Sequence, residues 1–233
     1  MRILAIGDIH GCARALGTLL AVSKPRPDDL IISLGDYVDR GPDSRGVLDQ
    51  MVILQSTGRL VPLRGNHDLM MLHAREWDHA SALWLGCGGK QTLSSYGASD
   101  SRPDDLLLIP EAHWNFLENH CVNYHETDSH LFVHASVRPE WPLADQLTDV
   151  LLWEKLDGPV AHCSGKTLVC GHTKQTAGVP LNYGTTICID TGAYAEGGWL
   201  TCLDVLDGCY WQANEDGEVR AGWLEKKTPS DFR

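Results

Sequence analysis

Three short apolar runs in the first 68 residues end alike. "RILAIG" leads into "GDIHG" (residues 7–11), "DLIISLG" into "GDYVDRG" (35–41), and "LVPLRG" into "GNHD" (65–68), so the motifs start 28 and 30 residues apart. Each run has the length and composition of a buried strand. The segments between them, "CARALGTLLAV" and "DSRGVLDQMVILQSTG", carry helical spacing. This β-α-β-α-β order predicts a largely parallel sheet with right-handed crossovers. In such sheets the carboxyl ends of neighbouring strands open onto one crevice. Asp8, His10, Asp36, Asp39, Asn66 and His67 are therefore expected around a common site, with glycines at 7, 35, 65 and 171 leaving room for the backbone.

Two later strand-like runs also end in histidine, "LFVHA" at His134 and "LVCGH" at His172. A single Asp-x-His is weak evidence, because an aspartate after a strand commonly caps a turn. Five strand ends carrying Asp, Asn and His are a different matter, since such side chains are costly to bury unless something binds them. An oxygen and nitrogen donor set without thiolate suits Mn, Fe or Zn better than Ca. Two carboxylates, three histidines and an amide are more than one ion with an open position needs. They suit two ions sharing a bridging carboxylate, a pair that polarises a phosphoryl group and generates a hydroxide.

With these residues in view, "GDIHG", "GDYVDRG", "RGNHD", "HA" and "GHT" resemble the phosphoprotein phosphatase family of calcineurin-like metallophosphoesterases, in its bacterial and phage branch. "GGKQTLSSYG" and "DTGAYAEGGWLTCL" are similar to bacterial members as well. The resemblance implies one divalent metal ion on Asp8, His10 and Asp36. It puts a second on Asp36, Asn66, His134 and His172, with Mn expected and Fe, Zn or Ni as alternatives. It also implies His67 as the general acid, Asp39 as its partner, and Arg40 as a phosphate clamp whose guanidinium matches two oxygens at once.

The chain departs from the family pattern in places. "LLWEKLDG" offers Lys155 where an arginine is common, which keeps the charge but loses the bidentate fork. Asp68 replaces a glutamate and is expected to cap the following helix. Lys174 stands where nucleases and cyclic-nucleotide phosphodiesterases of the wider superfamily carry a second histidine. Arg64 is read two ways, as a further substrate-binding residue or as a brace for its loop through an ion pair. His73 and His79 are six residues apart and do not share a helical face, so they are not expected as ligands. Trp77, Trp84 and Trp114 are read as core anchors. Residues 73–115 carry no catalytic motif, and their position makes them the candidate roof of the crevice.

The second half is richer in strands, at "CVNYH", "HLFVHA", "KTLVCGH", "TTICID", "GWLTCLDV" and "CYWQAN", and their short separations suggest a second sheet with antiparallel pairs. The expected fold class is α/β, a β-sandwich of two mixed sheets flanked by helices, forming one domain over residues 1–225 with a flexible tail at 226–233. Eight cysteines without a C-x-x-C pair read as buried reduced thiols, and the N-terminus is too short in apolar residues for a signal peptide. A cytoplasmic location is expected. A net charge of -12 argues against nucleic acid as a partner, and no apolar run approaches the roughly 18 to 20 residues that span a bilayer, so no membrane partner is expected. The leading expectation is a phosphatase acting on phosphoserine or phosphothreonine, with phosphotyrosine tolerated. A diadenosine-polyphosphate hydrolase using the same dimetal site is the alternative, small phosphoesters are a third substrate class, and a non-catalytic binding module is the rival from a different class. The oligomeric state is not legible.

Overall fold

Strand β1 (Ile3–Ile6) shows how the sequence places the site. Its side chains alternate between two apolar layers, Leu4 and Ile6 in one and Ile3 and Ala5 in the other. A strand covered on both faces needs such a continuous apolar run. The layer around Leu4 and Ile6 holds the apolar faces of helices α1 (Ala13–Ser23) and α2 (Ser44–Ser56). On α2, Val47, Leu48, Met51 and Leu54 recur at helical spacing on the buried side, and Asp43 caps its start by accepting the Gly46 N–H at 2.8 Å. The layer around Ile3 and Ala5 meets Phe132, Val169 and Ile187 of a second sheet. The computed structural model describes residues 1–99 and 102–226, so the expected tail at 226–233 falls, apart from Lys226, outside the described residues.

In the first sheet β1 pairs in parallel with β2 (Leu30–Ser33), and β2 with β3 (Leu60–Pro62). Helix α3 (Asn66–Glu76) leaves directly from β3. Helix α4 (Asp78–Trp84), a π-turn at Leu85–Gly89 and helix α5 (Lys90–Ser95) follow, then α6 (Glu111–Asn115). The second sheet holds β4 (Tyr124–Glu126), β5 (His130–Val133), β6 (Thr167–Cys170), β7 (Leu181–Asn182) and β8 (Thr186–Cys188), with α7 (Thr148–Trp153) between β5 and β6. Two mixed sheets with flanking helices are as the sequence predicts.

Strand pairing differs from expectation in two respects. Within the second sheet β5, β6 and β8 are parallel, and only its edges β4 and β7 are antiparallel. The crossover from β5 to β6 carries α7, whose Leu151 and Leu152 cover the outer face of that sheet. The last strands, β9 (Leu200–Asp204), β10 (Cys209–Ala213) and β11 (Val219–Trp223), return to the first sheet in the order β11-β10-β9-β1-β2-β3. Strand β11 is exposed along most of its length, so "VRAGW" lacks the apolar alternation that would have marked it.

Of the eight cysteines, Cys12, Cys121, Cys170, Cys188 and Cys202 are buried as free thiols, whereas Cys163 is exposed. No helix among the described residues is long and apolar enough to cross a membrane.

One buried ion pair ties the start of the chain into the sheet. The Asp29 carboxylate accepts from Arg2 N at 2.9 Å, Arg2 Nε at 3.0 Å, Arg2 Nη2 at 2.6 Å and Arg26 N at 2.7 Å. Burial opposes ionisation of Asp29, but these donors outweigh it and hold the carboxyl well below the usual range. Asp29→Ala is expected to cost about 2–3 kcal/mol in denaturant titration at pH 7. Because the folded-state pKa is depressed, the gap between parent and variant is full above about pH 5 and narrows as pH falls below about 4. A gap independent of pH between 7 and 3 would assign the loss to packing instead.

Candidate dimetal centre

The turns that leave β1, β2 and β6 toward the crevice are conformationally tight. His10, Asp36, Asp39, Arg40 and His172 all adopt left-handed backbone angles, with φ of 44°, 52°, 72°, 68° and 59°. Among the described non-glycine residues only Lys24, at the end of α1, shares that property. Such angles cost energy and persist where surrounding structure imposes them, commonly at functional sites. Two glycines are required by contact: a side chain on Gly35 (φ 96°) would strike the Gly65 backbone, and one on Gly171 would strike the Asp8 carboxylate.

Asp36 is the centre of the arrangement. Its Oδ2 lies 3.2 Å from His10 Nε2 and 3.6 Å from His134 Nε2, and its Oδ1 accepts the His67 N–H at 3.0 Å. Burial pushes the Asp36 carboxyl up, while His134, His67 and His10 outweigh that and hold it well below its usual range. Two donor groups result, each with ligating atoms within 4.8 Å of one another: His10, Asp36 and His67, and Asp36, His134 and His172.

The histidines are oriented by backbone carbonyls. His10 Nδ1 donates to Val38 O at 2.9 Å and His134 Nδ1 donates to Leu34 O at 2.8 Å. In its neutral form each ring then presents an Nε2 lone pair to the Asp36 carboxylate, and His134 presents the same lone pair to Asn66 Oδ1 at 3.0 Å. Acceptors facing acceptors in a buried site are what a cation between them satisfies, and the carbonyl on the far nitrogen is the usual way of fixing a ligand tautomer. Burial also lowers the pKa of His134, and it takes His172 down to about 4 with help from His134, which favours the neutral, ligating form of both rings. The residues fit a pair of divalent ions.

The remaining expected ligand, Asp8, is buried beside this centre. Both its oxygens face the His172 N–H, at 3.2 and 3.0 Å, and burial, then Asp190 and Asp36, raise its pKa well above the ordinary value. Asp8 stands outside the two close-packed donor groups, and His67 occupies the place beside His10 and Asp36. His67 Nδ1 is 2.7 Å from Asp39 Oδ2. Asp39 is itself fixed by Trp84 Nε1, at 2.9 and 3.1 Å from its two oxygens, and by Thr92 Oγ1 at 2.8 Å. The segment expected to roof the crevice thus reaches it through the end of α4 and through α5. Trp84 is a core residue, as expected, whose indole also serves the site; Trp114 is buried and Trp77 is 46% exposed.

The cationic residues divide. Arg40 donates from Nη1 to His10 Nε2 at 2.9 Å, and its guanidinium lies 4.8 Å from the Tyr194 ring centre. Lys174 approaches the same ring at 5.5 Å, so two cations flank one aromatic beside His10. Lys155 is exposed, with its charge felt at His172. Arg64 points elsewhere, and its Nη2 donates to the carbonyls of Leu117, Glu118 and Cys121, at 3.0, 3.0 and 3.2 Å. It braces that turn through carbonyl oxygens, where the sequence allows substrate contact or an ion pair.

Asp68 does cap α3, accepting the Gly65 N–H at 2.8 Å, and it does more. Its oxygens accept Asp36 N at 2.8 Å and Tyr37 N at 2.9 Å, pinning the turn that presents Asp36. Burial, then Asp36, pushes its pKa up to about 8. Asp190 is the residue that motif reading missed. It is buried at the end of the "TTICID" run and accepts the Gly192 N–H at 3.0 Å, its charge felt at Asp8. The strand-end rule that singles out Asp8 and Asp36 applies to it equally.

A two-sheet α/β sandwich with paired His/Asp donor groups at its strand ends defines a metal-dependent phosphoesterase. The sequence model of the Calcineurin-like phosphoesterase family matches residues 1–174, and the chain belongs to that family. It is 32% identical over 206 residues to serine/threonine-protein phosphatase 1 of Salmonella typhimurium, covering 85% of this chain and 89% of that protein. It is 33% identical over 147 residues to the symmetrical bis(5'-nucleosyl)-tetraphosphatase of Ralstonia nicotianae, where the match covers 61% of this chain and 44% of the relative. In fold it is similar to a putative diadenosine tetraphosphatase (TM-score 0.66, 23% identity, 96% of this chain and 95% of the other). A cold-active protein tyrosine phosphatase shares the fold as well (TM-score 0.64, 17% identity, 94% and 78%).

Proposed function

We propose that this phosphoesterase hydrolyses phosphomonoesters of serine and threonine in proteins, with phosphotyrosine as an additional substrate. The observation that carries the chemistry is Asp36 shared between two histidine groups, buried except for half-buried His172. The substrate class draws support from a relative matched along nearly the whole of both chains. In this reading Asp8, His10 and Asp36 hold one cation, and Asp36, Asn66, His134 and His172 hold the other. Bound there, two such cations, Mn in the first instance, would supply Lewis-acid polarisation of the phosphoryl group and activation of water.

The chain's own residues do the rest. His67 gives a proton from Nε2 to the leaving oxygen, with Nδ1 held by Asp39 so that the ring keeps one orientation. Trp84 and Thr92 keep Asp39 from following the ring. Arg40 binds the phosphate oxygens as a bidentate donor once it leaves His10 Nε2. Lys155 and Lys174 add positive potential at the mouth.

The test is metal removal and return. After dialysis against a chelator, hydrolysis of p-nitrophenyl phosphate is expected to fall to background and to recover with Mn, Ni or Zn. No recovery with any divalent ion would overturn the enzyme reading. A panel setting phosphoserine and phosphothreonine peptides against diadenosine tetraphosphate then decides the substrate. Faster turnover of the dinucleotide would assign the chain to the other activity found among its relatives.

A further inference from the structure

Beside the dimetal centre lies an open cavity of about 400 Å³ that no step above uses. It is lined by Arg40, Leu85, Gly86, Cys87, Gly88, Lys90 and Gln91. Among the described residues no carboxylate lines it, although the chain carries 31 acidic and 19 basic side chains. Lys90 and the Gln91 amide, with Arg40 at the edge whose guanidinium reaches His10 and Tyr194, make a positive enclave on an acidic protein, the setting that concentrates an anion.

The wall of this cavity is pressed onto the loop that carries the clamp. Gly88 (φ 127°) accepts the Arg40 N–H at 3.4 Å, and a side chain on Gly88 would come within 2.8 Å of Arg40 N and 3.0 Å of Asp39 Cβ. Arg40 therefore belongs to both places. Its backbone forms part of the contact with the π-turn, while its guanidinium reaches His10 and Tyr194. Because Arg40 both lines the cavity and reaches His10, a group in the cavity would lie beside a phosphate that Arg40 holds. Gly86, on the rim, has nothing within 4 Å of where a side chain would start.

We propose that this cavity is an anion subsite that takes a second negatively charged group of the substrate, carboxylate or phosphate, between Arg40 and Lys90. The inference rests on the phosphoesterase reading above and adds selectivity to it. An acidic residue beside the phosphorylated one would supply a carboxylate, and a polyphosphate chain would supply a phosphate. A plain monoester would leave the cavity empty.

The experiment compares kcat/KM for three substrates in the metal-loaded protein at low salt. These are p-nitrophenyl phosphate, a phosphothreonine peptide with glutamates against its glutamine counterpart, and diadenosine tetraphosphate. The parent is expected to prefer the acidic peptide over the glutamine peptide, or the dinucleotide over p-nitrophenyl phosphate, and added salt should shrink the preference. Lys90→Glu should lower that preference about tenfold, Lys90→Arg should keep it, and Gly86→Asp should lower it in the same sense. The arm that responds identifies the second anion as carboxylate or phosphate. Parent ratios near one, or ratios unmoved by both Lys90→Glu and Gly86→Asp while p-nitrophenyl phosphate is hydrolysed, would overturn the subsite alone. Failure of the parent to hydrolyse any of the three would overturn the phosphoesterase reading and the subsite with it.

Discussion

Asp36→Asn is expected to lower kcat/KM by at least about 10³-fold, because one residue serves both donor groups and several kcal/mol of charge stabilisation depend on it. Asparagine tolerates the left-handed backbone that residue 36 adopts at φ 52°. It also keeps an oxygen for the His67 N–H, so the fold should survive. What it lacks is the negative charge that His10 and His134 face at 3.2 and 3.6 Å. Metal analysis should show fewer than two ions per chain under conditions that load the parent fully, with an unchanged circular dichroism spectrum. A variant that stays fully loaded and within tenfold of parental activity would remove Asp36 from the shared position.

His67→Asn should behave differently. Its loss is expected at about 10²- to 10⁴-fold in kcat for phosphoserine, whose alkoxide needs a proton to leave. The loss should be much smaller for p-nitrophenyl phosphate, whose leaving group is stable as an anion. Asp39 keeps its Trp84 and Thr92 partners in the variant, so little else should move. Metal content decides between the two roles the geometry allows, since His67 also lies within reach of a cation beside His10 and Asp36. A general acid leaves metal content untouched. A ligand does not, and equal losses on both substrates together with metal loss would reassign His67.

The strand ends are readable because each is a local signal: a buried run, a glycine, then a costly polar side chain. What surrounds them is not. Trp84 and Thr92 reach Asp39 across 45 and 53 positions of sequence, and neither has a composition that marks it as anything but core. Asp190 lies within reach of the same rule, but "ICID" lacks the following histidine or arginine that distinguishes the earlier motifs. Arg64 keeps two roles in sequence, because an arginine beside a motif gives no sign of whether carboxylates, carbonyls or a ligand will meet it. The parallel pairing of β5, β6 and β8 is hidden by short strands, which give no hint of which neighbour each will choose.

Strand β1 lies between β2 and β9, its Leu4, Ala5 and Ile6 paired with Asp204, Leu203 and Cys202. The most N-terminal metal-site motif thus hangs from a strand whose second edge is supplied by β9 (Leu200–Asp204), far along the chain. During synthesis, the motifs within residues 1–174 emerge while β1 still has an open edge. Closing so distant a pairing late is slow, and the exposed edge is open to wrong partners in the interval. The nascent protein therefore carries its whole set of proposed ligands before it can hold them in place. Catalytic competence should appear only once β9 has joined β1, in step with protection of β1 amides from exchange.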